Sequence, residues 1–192
     1  EAIDSAAATV VRGDTAYMLD VRWGLYTVDI TTLASPTKID WLGRANCSDL
    51  ADGGRYLYLA CSFGLTVADL INPKKPTVLA GLSTPLFGGT VLLDTPSAVA
   101  LSGSRLVLAE EDKGIQVLDV ANPAAPALLG GLDLGTFTEE IELAGSRALV
   151  AAAGGLFVVD LSDPVSPRFE GELDQGMEGV AVDSNRIRAA GY

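Results

Sequence analysis

Gly114-Ile115-Gln116-Val117-Leu118-Asp119-Val120-Ala121-Asn122-Pro123-Ala124-Ala125-Pro126 holds the phrase that decides the fold. A glycine, then Leu or Ile, leads through an apolar stretch to an aspartate, and a proline follows seven residues after it. The phrase returns as Gly24-Leu25-Tyr26-Thr27-Val28-Asp29 with Pro36, with Thr27 in the place of the usual valine. It returns again as Gly64-Leu65-Thr66-Val67-Ala68-Asp69 with Pro76, and as Gly155-Leu156-Phe157-Val158-Val159-Asp160 with Pro167. The leading glycines recur at intervals of 40, 50 and 41 residues. A period near forty means one supersecondary unit copied in series.

Each unit reads as four short strands. In the third copy these are residues 98–101, 105–109, 114–120 and 127–132, separated by Ser102-Gly103-Ser104, by Glu110-Glu111-Asp112-Lys113 and by the Asn-Pro turn. Short runs rich in Leu and Val between Gly, Asn, Asp and Pro are hairpin signals, and no stretch keeps a capped helical period. Four antiparallel strands per unit predict an all-β protein, a β-propeller of four-stranded blades. The expected units are residues 5–43, 44–93, 94–134, 135–174 and a partial 175–192, forming a single propeller or a segment of a larger one over 1–192. The first-to-second-strand turn occurs five times, at Gly13, Gly53-Gly54, Gly103, Gly145 and Ser184-Asn185. Glu1 to Ser5 align with the end of a fourth strand. The chain thus reads as four full blades with partial blades at both ends, either a window from a longer propeller or nearly a five-bladed ring. The second copy is ten residues longer than the first, with the extra length in residues 83–94.

Composition limits function more than it names it. Nearly half of the 192 residues are apolar and a fifth are charged, which argues against disorder. No apolar run approaches the eighteen residues of a membrane span, and no basic-then-apolar leader opens the chain. The net charge of −12 disfavours nucleic acid as a partner and suits solubility, a cation or a basic partner. Histidine is absent, which removes the usual general base and the commonest metal ligand.

The repeated aspartates Asp29, Asp69, Asp119 and Asp160 end the third strand and read as structural turn residues, because Asn or Asp near Pro takes up a backbone N–H. The glycine that opens the phrase reads as a positive-φ or tightly packed position. Val28, Leu57, Leu59, Val67, Val99, Leu106, Leu108, Val117, Leu149, Val158 and Val180 are the expected core. On residues 115–126 and 156–167 the unit resembles the LVIVD repeat of bacterial and archaeal surface proteins. The resemblance covers essentially the whole chain. It implies a β-propeller on an extracellular or envelope-associated protein, and it carries no catalytic motif.

Function is then expected where the copies differ. In a propeller the second-to-third-strand loops and the inter-blade loops share one face. That face is expected to carry Trp23, Phe63, Phe87 and Phe137 beside Glu110, Glu111, Asp112, Glu139, Glu140 and Glu178. Aromatic anchors among carboxylates suit recognition of a basic or polymeric partner. Such carboxylates also suit Ca²⁺, although no Asp-x-Asp-x-Asp-Gly loop is present, and no other cofactor is expected. The channel-side residues of the first strands look small or apolar. Cys47 and Cys61 lie opposite each other across a hairpin centred near Gly54, either as a disulfide fitting an oxidising compartment or as two buried thiols. Two functions follow: a non-catalytic scaffold binding a protein or surface polymer, or a hydrolase or lyase using rim carboxylates such as Glu111 and Glu140.

Overall fold

The computed structural model describes residues 5–43, 46–62, 64–83, 95–111 and 114–174, and the backbone alone of 179–183 and 186–190. Hairpins build it. In the first unit β1 (Ala6–Arg12), β2 (Thr15–Asp20), β3 (Gly24–Asp29) and β4 (Thr37–Leu42) pair in sequence order. The second unit repeats this with β5 (Cys47–Gly53), β6 (Tyr56–Cys61), β7 (Gly64–Asp69) and β8 (Thr77–Ser83). The third has β9 (Pro96–Ser102), β10 (Arg105–Glu110), β11 (Gly114–Asp119) and β12 (Ala127–Leu132). The fourth has β13 (Thr138–Ala144), β14 (Arg147–Ala152), β15 (Gly155–Asp160) and β16 (Arg168–Leu173). A two-stranded hairpin of β17 (Gly179–Asp183) and β18 (Arg186–Ala190) follows. All pairings are antiparallel, and the described residues contain no helix. This is the all-β architecture of four-stranded blades expected from the repeat. Residues 1–4, which carry the alignment with a fourth strand, and most of the insertion at 83–94 lie outside the described residues.

The turns explain the register. Gly13, Gly54, Gly103 and Gly145 open two-residue loops between first and second strands at φ of 55°, 77°, 62° and 64°. Gly at the first loop position matches the twist of the flanking strands. The glycine that opens the phrase also has positive φ in every copy, and at Gly114 a Cβ would stand 2.4 Å from the Leu132 carbonyl oxygen. At the other end of the third strand, the repeated aspartate accepts the N–H two residues on. Asp29 Oδ1 takes Thr31 N at 2.9 Å, Asp69 takes Ile71 N at 2.8 Å, Asp119 takes Ala121 N at 2.8 Å and Asp160 takes Ser162 N at 2.9 Å. Asn72, Asn122 and Asp163 then repeat the capture on Lys74, Ala124 and Val165. The first copy, with Thr32 and Leu33 there, keeps only the backbone bond from Ser35 N to Thr32 O.

Packing is two-sided. On β10, Leu106 and Leu108 face the second sheet while Val107 and Ala109 face the fourth. On β6, Leu57 and Leu59 face the first sheet while Tyr58 and Ala60 face the third. Each fully buried Leu or Val contributes about 1.5–3 kcal/mol. The first strands β1, β5, β9, β13 and β17 lie side by side, as the inner ring of a propeller requires. Nine of the expected core residues, from Val28 to Leu149, are buried. Val158 is only half-buried, and Val159 is buried in its place. Val158 packs beside Leu149, Ala151 and Leu156, on the side of the fourth sheet away from the third. Only a hairpin follows there, and its β17 lies along β13 and β14, short of the third strand. Val180 lies outside the residues whose side chains are described.

A disulfide joins Cys47 to Cys61 directly across β5 and β6. It closes a loop with a sequence separation of 14, and a loop of that size is worth about 3 kcal/mol in the unfolded-chain entropy picture. The Cys47→Ala/Cys61→Ala variant is expected to lose about that much in denaturant unfolding, and the wild type is expected to lose the same on reduction. Gly114→Ala is expected to cost about 3 kcal/mol or more, since it forces an L side chain into positive φ against fixed backbone. Gly103→Ala, in an open turn, meets no atom within 4 Å and is expected to cost less.

Candidate functional site

The second-to-third-strand loops are stitched into one face by backbone bonds. Val21 N donates to Ser5 O, Ser62 N to Asn46 O, Glu111 N to Thr95 O and Ala153 N to Phe137 O, each reaching the residue just before its own first strand or a few residues upstream. The next unit then donates back: Asn46 N to Val21 O at 2.6 Å, and Thr138 N to Glu111 O at 3.1 Å. These bonds hold the loop face as one rigid surface. Asn46 takes φ of 61° to make its two contacts.

The residue that ends each second strand differs between copies. Asp20 is buried and accepts the N–H groups of Ser5, Arg22 and Trp23. Cys61 carries the disulfide, and Ala152 is a plain buried methyl. Glu110, read from sequence as a rim carboxylate, is buried. Its side chain accepts the Gln116 amide and its carbonyl accepts the Thr138 hydroxyl at 2.6 Å. It ends β10 on the side of Leu106 and Leu108, so it points between sheets and away from solvent.

The other predicted residues separate into three groups. Trp23 and Phe137 are exposed on the loop face, and Glu111 is half-buried there. Glu139 and Glu140 lie on β13 itself, since that strand begins at Thr138; Glu139 is the extra residue of a β-bulge. Phe63, Phe87, Asp112 and Glu178 lie outside the described residues.

The inner strands depart from expectation. They were expected to present small or apolar residues, yet Asp49 on β5 and Glu140 and Glu142 on β13 lie within electrostatic range of one another across β9. Asp49 accepts its neighbour Leu50 N at 2.7 Å and, from the third sheet, Val99 N at 2.9 Å. Burial lifts its carboxyl above the usual range against those two bonds, and the Glu140 charge adds to the lift. Burial also lifts Glu142, helped by Glu140 and Asp49. Sequence alternation missed this because a bulge after the start of each first strand, with Ala7, Ser48, Ser97 or Glu139 as the extra residue, resets which side chains face which way. Among the described residues, no group of three or more acidic or cysteine side chains is arranged to hold a metal ion.

The pH dependence has two limbs. Asp29, Asp69 and Asp160 lie below the usual carboxylate range, held there first by hydrogen bonds from Thr31, Arg55 and Ser162. A lowered group adds stability above its unfolded pKa of about 4, and that stability is lost as pH falls through the folded value. Asp49 and Glu142 act in the opposite sense, adding stability at low pH that is lost as pH rises through their raised values. Asp49→Asn keeps an acceptor for Val99 and removes the charge, so it is expected to raise the melting temperature at pH 8 and flatten its fall between mildly acidic and neutral pH. Asp49→Ala strands the Val99 N–H and is expected to cost about 1–3 kcal/mol at every pH.

Residues 96–133 and 137–175 match the LVIVD repeat family. No curated protein is similar to the chain in sequence. Among solved structures, the computationally designed Ika8 protein superposes with a TM-score of 0.70 at 12% identity, over 97% of this chain and 55% of the other. The computationally designed Ika4 protein gives 0.64 at 14% identity, over 84% of this chain and 94% of the other. A chain from the S. cerevisiae complex of Dbp5 with Nup159, Gle1, IP6 and ADP gives 0.59 at 12% identity, over 91% of this chain and 49% of the other. The chain spans about half the length of the first and last of these. At such identities the likeness speaks for the fold alone. The family match and the four antiparallel sheets together identify a propeller-like protein that carries LVIVD repeats.

Proposed function

We propose that this protein is a non-catalytic binding scaffold of the cell surface or an extracellular assembly, which engages a protein or surface polymer through its loop face. One observation carries the reading. The residues common to the copies are consumed by turns and packing, while those that differ gather on loops stitched together by backbone bonds. Variable side chains on a rigid frame are what recognition needs. Phe137 supplies an exposed aromatic anchor, and Glu111, Glu139 and Glu140 surround its strand with carboxylates. A partner with basic groups suits this face, and the overall charge of −12 would draw it in.

The Cys47–Cys61 disulfide supports an oxidising, extracellular or envelope location. No helix among the described residues is long and apolar enough to cross a membrane. The hydrolase or lyase alternative loses a participant, because Glu110 is buried and engaged by Gln116.

The test is affinity capture from the native source with wild type and a Glu111→Lys/Glu139→Lys/Phe137→Ala variant. Wild type is expected to retain a partner that elutes as salt is raised, and the variant to retain at least about tenfold less. Equal capture by a folded variant would remove the loop face as the binding surface.

A further inference from the structure

Trp23 and Trp41 are the only tryptophans in the chain, and both stand on its surface. Trp23 closes the loop between β2 and β3 and is 37% exposed; Trp41 lies on β4 and is 49% exposed. They are joined, because the Trp41 indole N–H donates to the Trp23 carbonyl. Both are also held from below. Asp20, buried beneath the loop, accepts Trp23 N at 3.0 Å and Arg22 N at 2.9 Å. A Cβ on Gly43 would stand 3.2 Å from Trp41 Cζ2, so the ring lies close against the glycine backbone.

The fold does not require this pair. In register, Trp41 faces Tyr26, and the matching positions in the other three sheets are Gly81, Gly131 and Glu172. Three copies of the blade therefore form with no aromatic ring there. The pair adds a large apolar surface to water, with half-exposed Val21 and Ile39 nearby in sequence. A rigid apolar patch with a polar border marks an interaction site.

The chemistry of the patch limits what it takes. The Trp41 N–H is already spent on Trp23, so that indole recognises by its face alone. An indole face attracts cations and partly positive C–H groups through its quadrupole. Lys38 lies 4.9 Å from the ring centre of Tyr26, the cross-strand neighbour of Trp41, and so opposes a cationic ligand on the same side of the sheet. Nucleobases also stack on indoles, but their phosphates meet a chain of net charge −12. A pyranose ring, uncharged and lined with C–H on one face, meets neither objection. We propose that Trp23 and Trp41 form a stacking platform for a saccharide chain, which makes a polysaccharide the surface polymer this protein binds. The proposal rests on the binding-scaffold reading but uses residues separate from the Glu111, Glu139 and Phe137 surface.

Because no other tryptophan is present, intrinsic fluorescence reports this site alone. Titration with β-linked hexamers of glucose and of N-acetylglucosamine is expected to give a saturable blue shift with at least one of them. Trp41→Ala is expected to weaken that binding by about tenfold or more. The single-indole variants Trp23→Phe and Trp41→Phe keep a ring at each place and are expected to retain binding, read by the remaining indole. No shift with either hexamer overturns the proposal. So does a shift seen only with oligolysine or with single-stranded DNA, or one that tracks protein concentration and reports a second copy. If the hexamers fail while the Glu111/Glu139/Phe137 variant still loses its captured partner, the saccharide platform falls and the scaffold reading stands.

Discussion

Burial of the middle strands on both faces is the constraint on which everything else here depends. A sheet exposed on one side would alternate apolar and polar residues. β6 and β10 instead read as unbroken apolar runs, and successive side chains feed two different interfaces. A blade of this kind cannot be stable alone, because each of its faces needs a neighbour. Order in the molecule is therefore set by how blades are spaced and oriented, and short polar devices do that. Arg105 bridges the third and fourth units by donating to the Leu161 and Gly145 carbonyls, Arg12 pairs with Asp52 across the first two, and Tyr17 reaches the Pro73 carbonyl. Each stands at the end of a strand, where it completes a partner's unmet backbone or charge without entering the core.

The aspartate that ends the third strand shows how local chemistry supports this larger order. Its carboxylate takes the N–H two residues ahead, which would otherwise be left without an acceptor as the chain leaves the sheet. The Asn or Asp three residues on repeats the device, and proline then starts the return towards the fourth strand. These are interactions within a few residues, so they were legible in sequence from spacing alone. The blade count and the strand boundaries of the third copy were legible for the same reason. The first copy tests the logic. It lacks the Asn-Pro pair, yet its backbone still closes the turn, so the side-chain bond reinforces a geometry that the strands already demand.

What sequence did not disclose depends on contacts between units. Glu110 sits in a run of acidic residues and reads as loop, but strand pairing carries β10 one residue further and turns its carboxylate into the sheet interface. Glu139 and Glu140 read as inter-blade loop for a similar reason. Asp49 and Glu142 were missed because a one-residue bulge shifts the alternation of each first strand, and no propensity marks the bulge. Trp41 was passed over as one more strand residue. Its meaning appears only when the register places it opposite Tyr26 and sets glycine or glutamate at the same place in the other sheets.

Four copies of one blade also act as internal controls for one another. A residue shared by all is accounted for by the fold, and a residue confined to one has to be explained otherwise. At the end of the second strand the four solutions are Asp20, Cys61, Glu110 and Ala152. Ala152 shows that a methyl group is enough to complete a blade. The buried carboxylates of Asp20 and Glu110 thus exceed what folding asks, and each costs desolvation that hydrogen bonds must offset. Asp20 spends its acceptors on the loop that carries Trp23, so its burial is accounted for by what it positions. Asp49 follows the same pattern on the inner strands: its counterparts after the bulge are Ala8, Ala98 and Glu140, yet it keeps a charge that its surroundings disfavour. A chain that retains such groups where alanine suffices is holding surfaces in place, and in this protein those surfaces lie on the loop face and along the inner strands.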